Sequence, residues 1–174
     1  IVDRPEDLLS AKKILLPGVG AFDNAMKRIN ESGFLDILNQ KALVDKVPVL
    51  GICLGMQLLT RRSEEGNLPG LGWIAADTIR FPNQNGLKVP HMGWNLVHPG
   101  SPSDVTVGLP DDPRFYFVHS YRVKVDDEVN SILKCNYGGD FDAAVQRENI
   151  FGAQFHPEKS HKFGMRFLEN FARI

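Results

Sequence analysis

Two textures of apolar and polar positions divide this chain. In the first, Ile14-Leu15-Leu16 follows Lys13 and closes on Pro17-Gly18-Val19-Gly20, the pattern of a short buried strand ending in a turn. Phe22, Ala25, Met26 and Ile29 then recur at i, i+3, i+4 and i+7, which predicts a helix over 21–30. Phe34, Ile37 and Leu38 begin a second helix. Residues 47–52 are apolar without alternation, which suits a parallel strand covered on both faces, and 54–61 reads as the helix that follows it. Strand, helix, strand, helix in this order predicts an α/β sheet with parallel strands.

The second texture begins at Trp73. Strand-like pieces cover 74–81, 88–97, 115–125, 132–137, 143–147 and 150–155. Turn signals separate them at Asn83-Gln84-Asn85-Gly86, Pro99-Gly100-Ser101-Pro102, Pro110-Asp111-Asp112-Pro113 and Gly138-Gly139-Asp140. This half is expected to be antiparallel or mixed. A helix from about Ser160 closes the chain, with Phe163, Phe167, Leu168 and Phe171 on one face. No repeat, low-complexity tract or linker interrupts residues 1–174, so a single domain is expected. The fold expected is α/β, an open three-layer and mostly parallel sheet with an added antiparallel or mixed strand region. Ile1-Val2-Asp3 reads as the tail of a further strand, so the chain is expected to start inside a domain.

Composition narrows the classes. The 174 residues are 43% hydrophobic and 24% charged, with a formal net charge of -1, which fits a globular domain with a real core. That balance argues against a nucleic-acid footprint or a polybasic membrane surface. Mixed-sign pairs such as Arg61-Arg62 beside Glu64-Glu65 read as solvated surface. No apolar run approaches the roughly 20 residues of a membrane helix, and no signal peptide is visible. Two cysteines make no disulfide framework, so free thiols in a reducing cytoplasm are expected.

One of those cysteines carries candidate chemistry. Gly51-Ile52-Cys53-Leu54-Gly55 has the form G-x-C-x-G, the cysteine counterpart of the G-x-S-x-G nucleophile elbow. A nucleophile on a tight strand-to-helix turn sits at strained backbone angles, and glycine neighbours avoid clashes there. The free N–H groups of the helix N-terminus favour thiolate, so the Cys53 pKa is expected to fall. The Leu54 N–H is also placed to bind an oxyanion. A buried structural cysteine beside packing glycines is the competing reading of the pentad. Cys135, in an apolar strand piece, reads as structural.

Among the five histidines, His156 stands out. It follows the strand piece 150–155, and ligands gather at the C-terminal ends of strands in open α/β sheets. Glu158 lies two positions on, so in extended backbone both side chains point the same way, and Pro157 favours an extended His156. A carboxylate beside an imidazole fixes its tautomer and supports its cation. Nucleophile, base and orienter are thus available, against the alternative of a solvated loop with a chance His and Glu. His91 and His119 read as hydrogen-bonded structural histidines, and no His/Cys cluster has metal-ligand spacing. No metal or cofactor is expected.

Together, Pro17-Gly18-Val19-Gly20, Gly51-Ile52-Cys53-Leu54-Gly55-Met56-Gln57 and His156-Pro157-Glu158 resemble the class I (triad) glutamine amidotransferases. Pro90-His91-Met92-Gly93-Trp94-Asn95 and Tyr116-Phe117-Val118-His119-Ser120-Tyr121 resemble the branch that forms the glutaminase subunit of imidazole glycerol phosphate synthase, over essentially the whole chain. The resemblance implies that Cys53 attacks the side-chain amide of L-glutamine, with His156 as base and Glu158 holding it. It implies an oxyanion hole at the Leu54 N–H and the Val19-Gly20 backbone, and substrate contacts from Gly51, Gln57, Glu65, Ser120 and Tyr121. It implies a heterodimer with a (β/α)8-barrel cyclase subunit that receives the ammonia, with Trp94, Tyr116 and Lys159 at that interface.

Two departures bear on these expectations. The family begins with a strand and turn ahead of the region matched here, roughly 30 residues by the usual β-α lead-in, so the first strand and helix are expected to be missing. Lys159-Ser160-His161-Lys162-Phe163-Gly164-Met165 looks more like paralogues that supply ammonia to a nucleotide-sugar amidating synthetase of surface-polysaccharide pathways. The chemistry at Cys53 is then the same and the partner differs. Two further alternatives are a cysteine hydrolase of related architecture, which Gln57, Glu65 and His156-Pro157-Glu158 disfavour, and a non-catalytic interaction subunit.

Overall fold

The computed structural model describes residues 2–83 and 86–174. Its first strand, β1 (Ile14–Gly18), leads to α1 (Phe22–Glu31) and α2 (Phe34–Asn39), which unwinds through a π-turn over Gln40–Val44. Strand β2 (Val49–Cys53) passes directly into α3 (Leu54–Leu58). Then come β3 (Ala76–Arg80), β4 (His91–Pro99), β5 (Arg114–His119), β6 (Tyr121–Val125), β7 (Ser131–Asn136), β8 (Asp140–Arg147) and β9 (Ile150–Ala153). Helix α4 (His161–Arg173) closes the chain.

These strands form one curled sheet in the order β1-β2-β9-β8-β7-β4-β5, with β6 pairing both β3 and β8. The α/β class expected from the sequence is present, and β1, β2 and β9 run parallel. The parallel share is smaller than expected: every other pairing of two strands among the described residues is antiparallel. The reason is the connections. A parallel pair needs a crossover of a dozen or more residues, whereas no α-helix separates β3 from β9 and short turns join several of their strands.

Strand β2 shows why its sequence lacks alternation. All five of its residues are buried, and neighbours face opposite ways: Val49 joins an apolar cluster with Leu38, Met56, Leu59, Trp73 and Ile74, while Leu50 and Ile52 join one with Phe115, Phe117, Phe155, Phe167 and Phe171. Helices therefore cover both faces of the parallel segment. Phe167 and Phe171 of α4 seal one side, and α2 and α3 the other.

Several boundaries differ from the sequence pattern. Helix α3 stops at Leu58 instead of continuing to 61, because the returning segment takes its carbonyls: Leu71 N–H donates to Leu58, Ile74 to Leu59 and Gly70 to Arg61. The expected strand 115–125 is two strands broken at Ser120. Strand β4 begins only at His91, where it meets the end of β5 at His119. Val2 and Asp3 form no strand, and of the turn expected at 83–86, Gln84 and Asn85 lie outside the described residues, as does Ile1.

Candidate active site

The joint between β2 and α3 is built by close backbone approach. A Cβ on Gly55 would stand 1.7 Å from the Leu16 carbonyl oxygen, and one on Gly51 would stand 2.6 Å from the Gly55 carbonyl oxygen. Only glycine lets α3 sit this tightly on β1 and β2. Cys53, caught at the joint, has φ 54° and ψ −112°, a strained backbone region for a residue with a side chain. Strain of this kind is concentrated at functional sites.

Cys53 lines a cleft of about 430 Å³ at the C-terminal ends of β1, β2 and β9. Val19 and Gly20 reach it from the turn after β1, Leu54 and Gln57 from α3, and Glu65 from the loop beyond. Val118, His119, Ser120 and Tyr121 form a wall at the break between β5 and β6. His156 and Lys159 enter from the segment after β9. Residues far apart in sequence are thus gathered around one thiol. Gly51 does not line the cleft; it is spent on packing α3. Glu158 stands behind His156, and Trp94 and Tyr116 lie outside.

His156 has extended backbone, φ −98° and ψ 96°, as its place before Pro157 requires. Its Nδ1 lies 2.8 Å from Glu158 Oε1. An ionised carboxylate only accepts, so Nδ1 carries the proton and Nε2 is left as the acceptor. That Nε2 is buried and has no hydrogen-bond partner among the described residues. The backbone of His156 is held on both sides: its N–H donates to the Tyr116 carbonyl, and Ser160 Oγ donates to its carbonyl at 2.6 Å. Helix α4 is seated on the same turn, since a Cβ on Gly164 would stand 1.8 Å from the Pro157 carbonyl oxygen.

The expected fall in the Cys53 pKa is overturned. Burial pushes the thiol up, and the opposing Leu54 N–H does not cancel it; Glu158 and Glu65 add to the rise while Lys159 works against it. The lost hydration outweighs what the helix N-terminus returns through the Leu54 N–H. Neutral thiol is therefore favoured before substrate arrives. Cys135 is fully buried, and burial pushes its thiol up to about 12, in keeping with the structural role read from its strand. Both cysteines are free.

Sequence reasoning missed a buried amide network beneath the nucleophile. Gln154, wholly buried, donates from Nε2 to Cys53 Sγ at 3.9 Å. Gln57 Nε2 donates to Gln154 Oε1 at 3.0 Å and to the Tyr121 carbonyl at 3.3 Å. With both protons in use, Gln57 offers the cleft its carbonyl oxygen. His119 Nδ1 lies 2.6 Å from the same Tyr121 carbonyl, and His119 Nε2 lies 3.0 Å from His91 Nδ1. Both imidazoles are hydrogen-bonded as expected, and His119 also forms cleft wall, which its strand setting concealed. Gln154 was legible only as a polar residue in a strand buried on both faces.

Beside the cleft lies an exposed apolar face. In the β4–β5 pairing Met92 stands opposite Val118 and Trp94 opposite Tyr116, and both Met92 and Trp94 are exposed. Lys159 Nζ sits 5.9 Å above the Tyr116 ring, and His161 stacks on Trp94 at 5.2 Å between centroids. The face reaches the cleft through Val118 and Lys159.

Comparison with known proteins agrees with this geometry. The profile of the family described as glutamine amidotransferase class-I matches residues 5–174. Imidazole glycerol phosphate synthase subunit HisH 2 of Pseudomonas aeruginosa is 51% identical over 172 residues, 99% of this chain and 85% of that protein. HisH 2 of Methanococcus maripaludis is 50% identical, covering 99% of this chain and 86% of its own. HisH 1 of Campylobacter jejuni is 47% identical over 100% of this chain and 87% of its own. Among solved structures, a glutamine amidotransferase superposes with a TM-score of 0.73 at 20% identity over 98% of this chain and 85% of that one. A glutamine amidotransferase from Thermotoga maritima gives 0.65 at 20% identity, over 99% and 66%. At that identity these two speak to the fold alone.

Proposed function

Because this chain belongs to the class-I glutamine amidotransferase family, we propose that it is the glutaminase subunit of an imidazole glycerol phosphate synthase. In this role it hydrolyses L-glutamine to glutamate and ammonia and passes the ammonia to a (β/α)8-barrel cyclase subunit in the cytoplasm. One observation carries the chemistry: a thiol on strained backbone shares a cleft with an imidazole whose acceptor atom, Nε2, has no partner among the described residues.

The reaction follows from these positions. Cys53 Sγ attacks the side-chain amide carbon as His156 Nε2 takes the thiol proton. Glu158 stabilises the imidazolium through Nδ1. Removing the proton during attack suits a thiol whose burial disfavours a standing thiolate. The oxyanion forms against the Leu54 N–H and the Val19-Gly20 backbone. His156 gives its proton to the departing nitrogen, the C–N bond breaks and ammonia leaves a glutamyl thioester. Water, deprotonated by His156, cleaves the thioester to glutamate and restores the thiol. Glu65 takes the substrate ammonium, with Gln57, Ser120 and Tyr121 completing the amino-acid site.

Ammonia released into water would be protonated, so a partner must seal the cleft. The exposed Trp94 and Lys159 and the half-buried Tyr116 beside it suit that contact, aromatic residues being common interface anchors. A second reading, ammonia supply to a nucleotide-sugar amidating synthetase, is favoured by one observation. The departing segment 159–165 supplies the His161 that stacks on Trp94, so it would help set partner choice.

The test is Cys53→Ala in complex with the cyclase subunit, and separately with an amidating synthetase. Glutamine-dependent product formation should vanish while ammonia-dependent formation persists. Persisting glutamine hydrolysis would remove Cys53 from its role, and stimulation of wild-type turnover by the synthetase alone would decide for the second reading.

A further inference from the structure

The loop after α3 is irregular and mostly exposed, yet it carries the cleft carboxylate Glu65. Its two ends are pinned elsewhere, the Glu64 N–H donating to the Thr78 carbonyl, the Thr78 N–H to the Arg62 carbonyl and the Gly70 N–H to the Arg61 carbonyl, and the first turn of α1 holds the stretch between. The two oxygens of Asp23 accept the Asn67 N–H at 3.0 and 2.9 Å, and Oδ1 also accepts the Leu68 N–H at 3.0 Å. In the other direction, Glu65 Oε2 accepts the Phe22 N–H at 2.9 Å, one of the donors that a helix start leaves open. Glycine appears where the contact demands it: a Cβ on Gly66 would stand 2.0 Å from Asp23 Oδ1. Within the loop, Ser63 Oγ accepts the Glu65 N–H at 3.1 Å. Loop and helix thus grip each other through one carboxylate each way, with charge-assisted bonds.

We infer that Asp23, which does not line the cleft, is a positioning residue for substrate recognition and acts through Glu65. This rests on the glutaminase reading above. Glu65 is placed by its bond to Phe22, which occupies Oε2 and leaves Oε1 for the substrate ammonium. Without the Asp23 anchor the stretch from Glu65 to Leu68, between the pinned ends, must be ordered at each binding event, and that cost falls on affinity. The chemistry at Cys53, held by other contacts, is spared, so the loss shows in KM more than in kcat. The same grip pins the chain only two residues after Gly20, so the ammonium site and the far end of the oxyanion segment share one anchor.

The test uses Asp23→Ala, Asp23→Asn and Gly66→Ala in the chain complexed with its synthase partner. Asp23→Ala should raise KM for glutamine about tenfold, the scale of a lost charge-assisted bond, with kcat within about threefold. Asp23→Asn, which keeps one acceptor oxygen, should recover part of the loss. Gly66→Ala should repeat it without removing the carboxylate, because the added methyl meets only the end of the Asp23 side chain, which can swing aside. In a Glu65→Gln background the Asp23→Ala penalty should shrink below about twofold, as expected of residues acting through each other. An unchanged KM, or a full penalty in the Glu65→Gln background, overturns the inference. Wild-type complex without glutamine turnover counts against the glutaminase reading. The grip is then judged by amide hydrogen exchange: Asn67, Leu68 and Phe22 must exchange faster in Asp23→Ala, and unchanged protection refutes it.

Discussion

Replacing Gly55 by alanine sets two physical effects against each other. Gly55 lies within helix α3, and by helix propensity alone alanine there should stabilise by about 1 kcal/mol. The contacts say the opposite. The new Cβ would lie 1.7 Å from the Leu16 carbonyl oxygen, and such atoms keep at least 3.0 Å apart, so helix and strand must separate by about 1.3 Å. Both sides of the contact are backbone, and β1 is tied to β2 along its length, so no flexible side chain can absorb the change. Overpacking costs about 1–3 kcal/mol in ordinary cores. With rigid backbone on both sides the upper end applies, and Gly55→Ala should be less stable by about 2 kcal/mol after the propensity gain. The activity loss should be larger than the stability loss suggests. Moving α3 moves the Leu54 N–H and Cys53 together, and a misplacement of about 1 Å costs on the order of a hundredfold in rate. Urea denaturation followed by far-UV circular dichroism measures the first effect, and glutaminase turnover with the partner bound measures the second. A variant as stable as wild type with full turnover would show that the joint does not depend on this approach.

Two further outcomes follow from ionisation. Because burial raises the Cys53 pKa, its alkylation by iodoacetamide in the free protein should climb roughly tenfold per pH unit up to about pH 9, and a plateau near pH 7 would refute the burial argument. Burial also pushes His91 down to about 4 and His119 down to about 3. In the unfolded chain both titrate near 6.5, so below that pH the unfolded state binds protons that the native state refuses, and stability falls as pH drops from 6.5 toward about 4. Each histidine adds a slope of at most about 1.4 kcal/mol per pH unit, and a His119→Gln variant whose stability declines with acid as steeply as wild type would count against it.

What the sequence made legible was local. Gly51-x-Cys53-x-Gly55 announces its turn because strain and relief lie within five residues, and His156 with Glu158 is readable as a close pair, although a 3-10 turn over Pro157–Lys159, and not the expected extended backbone, brings them together. Strand β2 gave itself away by its lack of alternation, since both its faces are buried. Properties that arise between distant segments stayed hidden. The direction of the Cys53 shift depends on how deeply the folded chain covers the thiol. Helix α3 ends early because residues 70–74 claim its last carbonyls. Asp23 reads as an ordinary first-turn acid until the loop bearing Asn67 and Leu68 is folded against it. The packing demand on Gly51, whose Cβ would meet the Gly55 backbone, likewise shows only in the folded chain.

The contrast between the two thiols has a practical consequence. Cys135 is sealed in a strand with its ionisation pushed to about 12, while Cys53 opens onto the cleft. Under native, mildly alkaline conditions a small electrophile should therefore leave one adduct per molecule. Intact-mass spectrometry then counts the molecules whose elbow is correctly formed, so the chain carries its own titrant for the competent fraction of any preparation.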